Sequence, residues 1–194
     1  MGAAVPAYGE FEVSILYIEP RIWRRFQIGM TATFADLHQA IQDSFGWEDC
    51  HLWQFRHPTQ RSRVLAGVPD DQFASFDTEE VPDGREVKLS EHFTAKDGLD
   101  GCAYLYDFGD DWHHKVDLIR ITSSSDRFRR RLLDGGRSCP PEDCGGVGGY
   151  GRLLELLETG EDQYEEDPDG LATWLGDWKP DSFDLQTVKA AFDR

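Results

Sequence analysis

The stretch AYLYDFGDDWHHKVDLIRI, residues 103–121, decides how the chain is read. Tyr104 and Tyr106 alternate with Leu105, and after FGDDW the residues Trp112 and His114 alternate with His113. A period of two is that of a strand. Between the runs, Gly109 is expected to supply a positive φ and Asp110 or Asp111 to bond its own backbone, as a tight turn requires. The stretch is therefore a hairpin, and its two strands lie antiparallel in one sheet. The centre of the stretch, YDFGDDWHH, also gathers Asp107, Asp110, Asp111, His113 and His114. Carboxylates and imidazoles hold divalent cations and move protons. Alternation puts His114 on the face of Trp112 and His113 on the other, so the two cannot readily hold one ion within a regular strand. Any site here must be completed from elsewhere in the chain.

Working outward, EFEVSILYI (residues 10–18) and IWRRFQI (residues 22–28) read as two more strands that pair, and HLWQFRH from His51 as another, with Trp53 and Phe55 on one side. TFADLHQAIQDSFGW switches to helical spacing. Thr33 can cap, Asp36 completes a capping box, Phe34, Leu37, Ile41 and Phe45 form the apolar stripe, and Gly46 ends the helix. Residues 66–84 are rich in Asp, Pro and Gly and read as a long loop or a short hairpin excursion, and KLSEHF opens a helical turn. The glycine- and proline-rich GGRSCPPEDCGGVGGYG is expected to be neither helix nor interior strand. It leads into YGRLLELLE, an acidic connector, and two short helices in DGLATWLGDW and DLQTVKAAF. The fold class is α+β: a mostly antiparallel sheet with one early helix packed on it and a helical C-terminal third. Residues 1–8 form a short extension, and 9–194 one domain.

With 194 residues and a net charge of −17, the chain can bury a core without disulfides, and it repels polyanions overall. The charge is uneven. Residues 127–131 concentrate Arg127, Arg129, Arg130 and Arg131, while residues 158–184 carry ten acids against Lys179. The bland account of DRFRRR is a solvated face, and nucleic acid is left only this patch to contact. The sequence has no run long enough to span a membrane and no signal peptide, which points to the cytoplasm and to no membrane partner.

Cys50 and Cys102 read as buried small hydrophobes, whereas Cys139 and Cys144 in CPPEDCGG are spaced like half of a zinc knuckle. A second half must come from histidines, with His51, His57, His113 and His114 as candidates. The competing account is a compact loop packed on the sheet. The sequence contains no G-x-S-x-G elbow, P-loop lysine or H-E-x-x-H.

Taken in order, IWRRFQI, TFADLHQAIQDSFGWEDCHLWQF, KLSEHF, YLYDFGDDWHHKVDL, CPPEDCGGVGGYGRLLELL, WLGDW and FDLQTVKAAF closely resemble the plasmid pRiA4b ORF-3-like family, over residues 9–193. Members are often labelled mobile-element passenger proteins or TnpR-like. The resemblance implies a single α+β domain without an established activity. A resolvase is not implied by the residues themselves: Ser14, the early serine, lies mid-strand, and the C-terminal thirty residues are acidic instead of a basic helix-turn-helix. The positions matching the family's most specific signatures are His51, Trp53, Phe55, residues 106–112, His114 and residues 139–146.

The leading expectation is a non-enzymatic accessory module for a protein or small-molecule partner. In it the YDFGDDW turn and the CPPEDCGG loop share a surface, carboxylates of one accepting amide hydrogen bonds from the other. The alternative is a metal-dependent hydrolase or nuclease. Its catalytic groups would be Asp110, Asp111, His114 and Glu142, with zinc or another divalent cation held by Cys139, Cys144, His114 and His51.

Overall fold

The computed structural model describes residues 5–60, 62–69, 81–94, 98–161 and 168–193. Seven strands, β1 (Ala7–Ile15), β2 (Trp23–Gly29), β3 (Trp53–Arg56), β4 (Val64–Gly67), β5 (Gly101–Tyr106), β6 (Trp112–Ser123) and β7 (Arg130–Gly136), form one sheet in the order β4-β3-β5-β6-β1-β2-β7. Every neighbouring pair is antiparallel. The helices among the described residues are α1 (Phe34–Phe45), α2 (Leu89–His92), α3 (Gly146–Thr159), α4 (Pro168–Leu175) and α5 (Leu185–Phe192). The fold is α+β, as its alternation implies, and none of these helices is long and apolar enough to cross a membrane.

The hairpin forms where the reading places it, with Tyr106 opposite Trp112 and Tyr104 opposite His114. Its strands extend into the sheet because Trp53 and Phe55 pair with Tyr106 and Tyr104 on one side, and Ile15 pairs with His114 on the other. All these core-facing side chains are buried. Helix α1 begins with the full capping box between Thr33 and Asp36 and ends at Gly46, φ +90°. Such a cap contributes about 1 kcal/mol. Its stripe of Phe34, Leu37, Ile41 and Phe45 is buried against the sheet, with the Phe34 ring 5.1 Å from that of Phe55. The opposite face of the sheet carries cross-strand ion pairs, Glu12 with Arg21 and Arg25, and Glu10 with Arg120. An antiparallel sheet can leave one face to water in this way.

Four local expectations are corrected. Strand β7 was not visible in the arginine patch: Arg130 is buried, lies 4.6 Å over the Phe192 ring, donates to the Phe192 carbonyl and pairs with Asp43. Only Arg127, Arg129 and Arg131 remain toward solvent, with Arg131 stacked 4.2 Å over Phe128. Helix α3 starts inside the glycine run, at Gly146. A β-carbon on Gly149 would stand 1.7 Å from the Cys144 carbonyl oxygen, and one on Gly146 2.3 Å from that of Asp110, so the glycines there serve close backbone approach. The positive φ angles of the hairpin turn fall on Asp107 (+52°) and Asp111 (+57°), not on Gly109. Aspartate tolerates this region because its short side chain bonds locally. Cys50 is exposed, while Cys102 is buried as expected. Strand β4 ends inside the stretch read as a long loop; residues 70–80 of that loop, and residues 162–167 of the acidic connector, lie outside the described residues.

Candidate functional site

Three loops meet at one end of β5. The first, residues 46–52, leaves α1 and is anchored by Trp47, whose indole packs 5.0 Å from Tyr106 and donates to the Pro140 carbonyl. Asp49 in this loop turns at φ +55° and reaches back to the buried His38, 2.7 Å away. His38 is stacked on Trp53 and bonded to the Tyr104 hydroxyl. The second loop is the hairpin turn. Asp107 organises it: Oδ1 accepts from Gly109 N, the carbonyl accepts from Asp111 N, and Asp107 N donates to the Leu52 carbonyl. The third is the CPPEDCGG loop, held to the C-terminal segment by the Trp178 indole, which donates to the Cys139 carbonyl.

Side chains lock these loops together. Gly145 N donates to Asp110 Oδ2 at 3.0 Å, the carboxylate-to-amide interlock expected between turn and loop. Glu142 accepts from Tyr106 hydroxyl through Oε1 at 2.9 Å and from Glu48 N through Oε2 at 2.9 Å. Burial, reinforced by the Glu142 charge, pushes the Tyr106 phenol well up, so it remains a donor. The imidazole of His51 sits at the centre. Its Nε2 is 3.0 Å from Asp143 Oδ1, 3.6 Å from Asp107 Oδ2 and 3.7 Å from Glu142 Oε1. Cys50 Sγ is within reach of the Tyr106 hydroxyl at 4.0 Å.

The residues singled out from sequence divide accordingly. His51, Glu142 and Asp110 are brought to the junction. Asp111 is exposed on the turn and pairs with His113, 3.1 Å away. His114 is fully buried among Phe45, Trp47 and Tyr104. Burial holds its imidazole down at about 3, even though Nδ1 faces the Trp112 carbonyl at 3.1 Å. Among the described residues, the groups able to hold a metal ion are Cys50 with His51 and Glu142, and His51 with Asp107 and Asp143; neither includes His114, Cys139 or Cys144. Burial pushes the Cys144 thiol up to about 12 and raises the Cys139 thiol well above its ordinary value, which disfavours the thiolate form that a metal ligand needs. Asp143 and Cys50 were missed as site residues, and Asp107, gathered with the other carboxylates of the turn, was left out of the candidate ligand set. For the two aspartates the signal was a turn-type residue within an otherwise specific motif; for Cys50 it was only adjacency to His51.

The family model described as "Plasmid pRiA4b ORF-3-like protein" matches residues 8–187. The uncharacterized protein y4hQ of Sinorhizobium fredii (strain NBRC 101917 / NGR234) is 32% identical over 146 residues, covering 75% of this chain and 71% of that protein. The crystal structure of the protein of unknown function MM3350 from Methanosarcina mazei Go1 superposes with a TM-score of 0.78 at 34% identity, across 95% of this chain and 99% of that one. The match spans the hairpin, all three junction loops and α1 alike, and on that footing the chain belongs to the plasmid pRiA4b ORF-3-like family.

Proposed function

We propose that the chain is a non-enzymatic binding module whose working surface is the three-loop junction, and that it takes a cationic segment of a partner protein. The observation that carries this is charge held in place. Residues 46–52, 106–112 and 139–146 contribute Glu48, Asp49, Asp107, Asp110, Asp111, Glu142 and Asp143, and no Lys or Arg. The loops bearing them are cross-linked by the Asp110, Glu142 and Tyr106 hydrogen bonds. A preorganised surface of one sign favours partners of the other sign and penalises like-charged ones. Beside it runs a groove of about 400 Å³ lined by Asp143, Cys144, Gly148, Gly149 and the half-exposed Trp174. The hydrolase or nuclease reading is less favoured, because its histidine is sealed in the core and the carboxylates of Asp110 and Glu142 are occupied by backbone and phenol donors.

Calorimetric titration with a short arginine-rich peptide tests this. Saturable one-to-one binding is expected, weakened about tenfold in Glu48→Gln/Asp111→Asn, two rim charges that anchor no loop. The matched control Glu158→Gln/Glu161→Gln removes the same charge from the far end of α3. Equal weakening in both variants would reduce the effect to net charge and sink the reading.

A further inference from the structure

We infer that His51, Asp107 and Asp143 form a binding site for a first-row divalent cation of the zinc class. The inference rests on the junction being the working surface and names the ion at its centre. His51 Nε2, an oxygen of Asp107 and an oxygen of Asp143 lie within 4.8 Å of one another. The His51 separations of 3.0 and 3.6 Å match the edges of a small coordination polyhedron. Ligand atoms about 2.0–2.2 Å from a shared ion stand roughly 3–3.5 Å apart.

A second observation points the same way. Asp107 is 7% exposed; its Oδ1 accepts from Gly109 N, and its Oδ2 faces His51 Nε2 at 3.6 Å. A carboxylate this far removed from water is paired with a cation or coordinates a metal. Asp107 at φ +52° and Asp143 at φ +54° lie in two different loops, and their carboxylates stand 3.6 and 3.0 Å from one imidazole. Glu142 forms the second ring, since both of its oxygens are occupied, one by Tyr106 and one by Glu48 N. One imidazole and two carboxylates suit zinc, manganese or iron, whereas calcium takes six to eight oxygens. The His51 side chain is 28% exposed and that of Asp143 71%, so an ion here keeps open positions toward solvent.

The test uses untagged full-length protein stripped with chelator and titrated with Zn²⁺ alone, with bound metal measured after desalting. One equivalent of Zn²⁺ is expected, not displaced by Ca²⁺. His51→Gln and Asp107→Asn should each weaken binding by tenfold to a hundredfold or more on the order known for ligand-shell changes. Asn keeps the local turn bond and the left-handed backbone, so Asp107→Asn should fold, which circular dichroism checks. Cys144→Ser should bind as the unaltered chain does. Glu48→Gln/Asp111→Asn should also retain the ion, whatever it does to the peptide, which separates failure of this site from failure of the binding reading. Protein that takes up no stoichiometric Zn²⁺, or that keeps it in both His51→Gln and Asp107→Asn, overturns the inference. Loss of Zn²⁺ in Cys144→Ser with retention in His51→Gln would do the same.

Discussion

His114 and His51 each pack against a tyrosine of β5, His114 5.0 Å from Tyr104 and His51 5.8 Å from Tyr106, yet they meet opposite environments. His114 is enclosed by aromatic rings, and its Nε2 has no hydrogen-bond partner among the described residues. His51 is partly open to water and faces three carboxylates. The side chains are chemically the same. What differs is strand position: His114 lies inside β6, where alternation assigns it to the core, while His51 precedes β3, where the chain is still a loop. A histidine's chemistry is set by which charges and how much water surround it, and His114, though it sits in the acidic motif, is removed from both.

Trp47 belongs to both regions, so its loss should have the largest effect. It packs edge-on at 5.2 Å from His114, lies 5.0 Å from Tyr106, and donates to Pro140 of the third loop. Trp47→Ala is expected to cost about 3–5 kcal/mol in urea unfolding, the range for large aromatic truncations. Trp47→Phe should cost about 1 kcal/mol, mainly the lost hydrogen bond. An equal cost for both would mean that packing contributes nothing and that the two regions are not joined there.

The next effect is on pH dependence. Burial lowers His114 from 6.5 to about 3 in the folded chain, so between those values the unfolded chain binds the extra proton. Stability is therefore full above about pH 6.5 and falls as pH drops toward 3, by up to about 1.4 kcal/mol per unit. His38, lowered by burial against the pull of Asp49, acts in the same direction. His114→Leu should flatten the slope of urea midpoint against pH. An unchanged slope would place the proton uptake elsewhere and undo the contrast between the two histidines. A smaller loss, about 1–3 kcal/mol, is expected for Asp49→Ala, which leaves a ring nitrogen of the buried His38 without its partner; Asp49→Asn should recover part of it.

Legibility followed the range of the interactions. Helix α1 could be read in full because stripe, capping box and terminal glycine all lie within its own residues. The hairpin could be read because alternation is local. Strand β7 could not, since what makes Arg130 a buried residue is Asp43, 87 residues away, and Phe192, 62 residues away. The start of α3 was hidden for a related reason: its glycines are chosen by the backbones of Cys144 and Asp110, not by helix propensity. The candidate site was half legible. The two specific segments do meet, but the residues that converge are those set by positive φ at Asp107 and Asp143, a property of the folded turn that residue spacing does not encode.

The smallest predicted effect isolates the interlock. Helix α3 has Gly145 at its N-cap, which offers no capping side chain, and Asp110 Oδ2 from the hairpin turn accepts the amide of that N-cap residue. Asp110→Ala should therefore cost about 0.5–2 kcal/mol, the range for losing a cap. The cost should be local. Amide exchange should rise in residues 139–149, while the amides of β5 and β6 keep their protection, because the hairpin is tied through Asp107 and Leu52 independently of Asp110. Asp110→Asn retains an acceptor oxygen and should restore most of the protection with the charge gone. If both variants loosened the loop equally, the negative charge at the helix start, not the hydrogen bond, would be what joins turn to loop. If neither did, the close approach of Gly146 to the Asp110 backbone would hold the junction without the side chain.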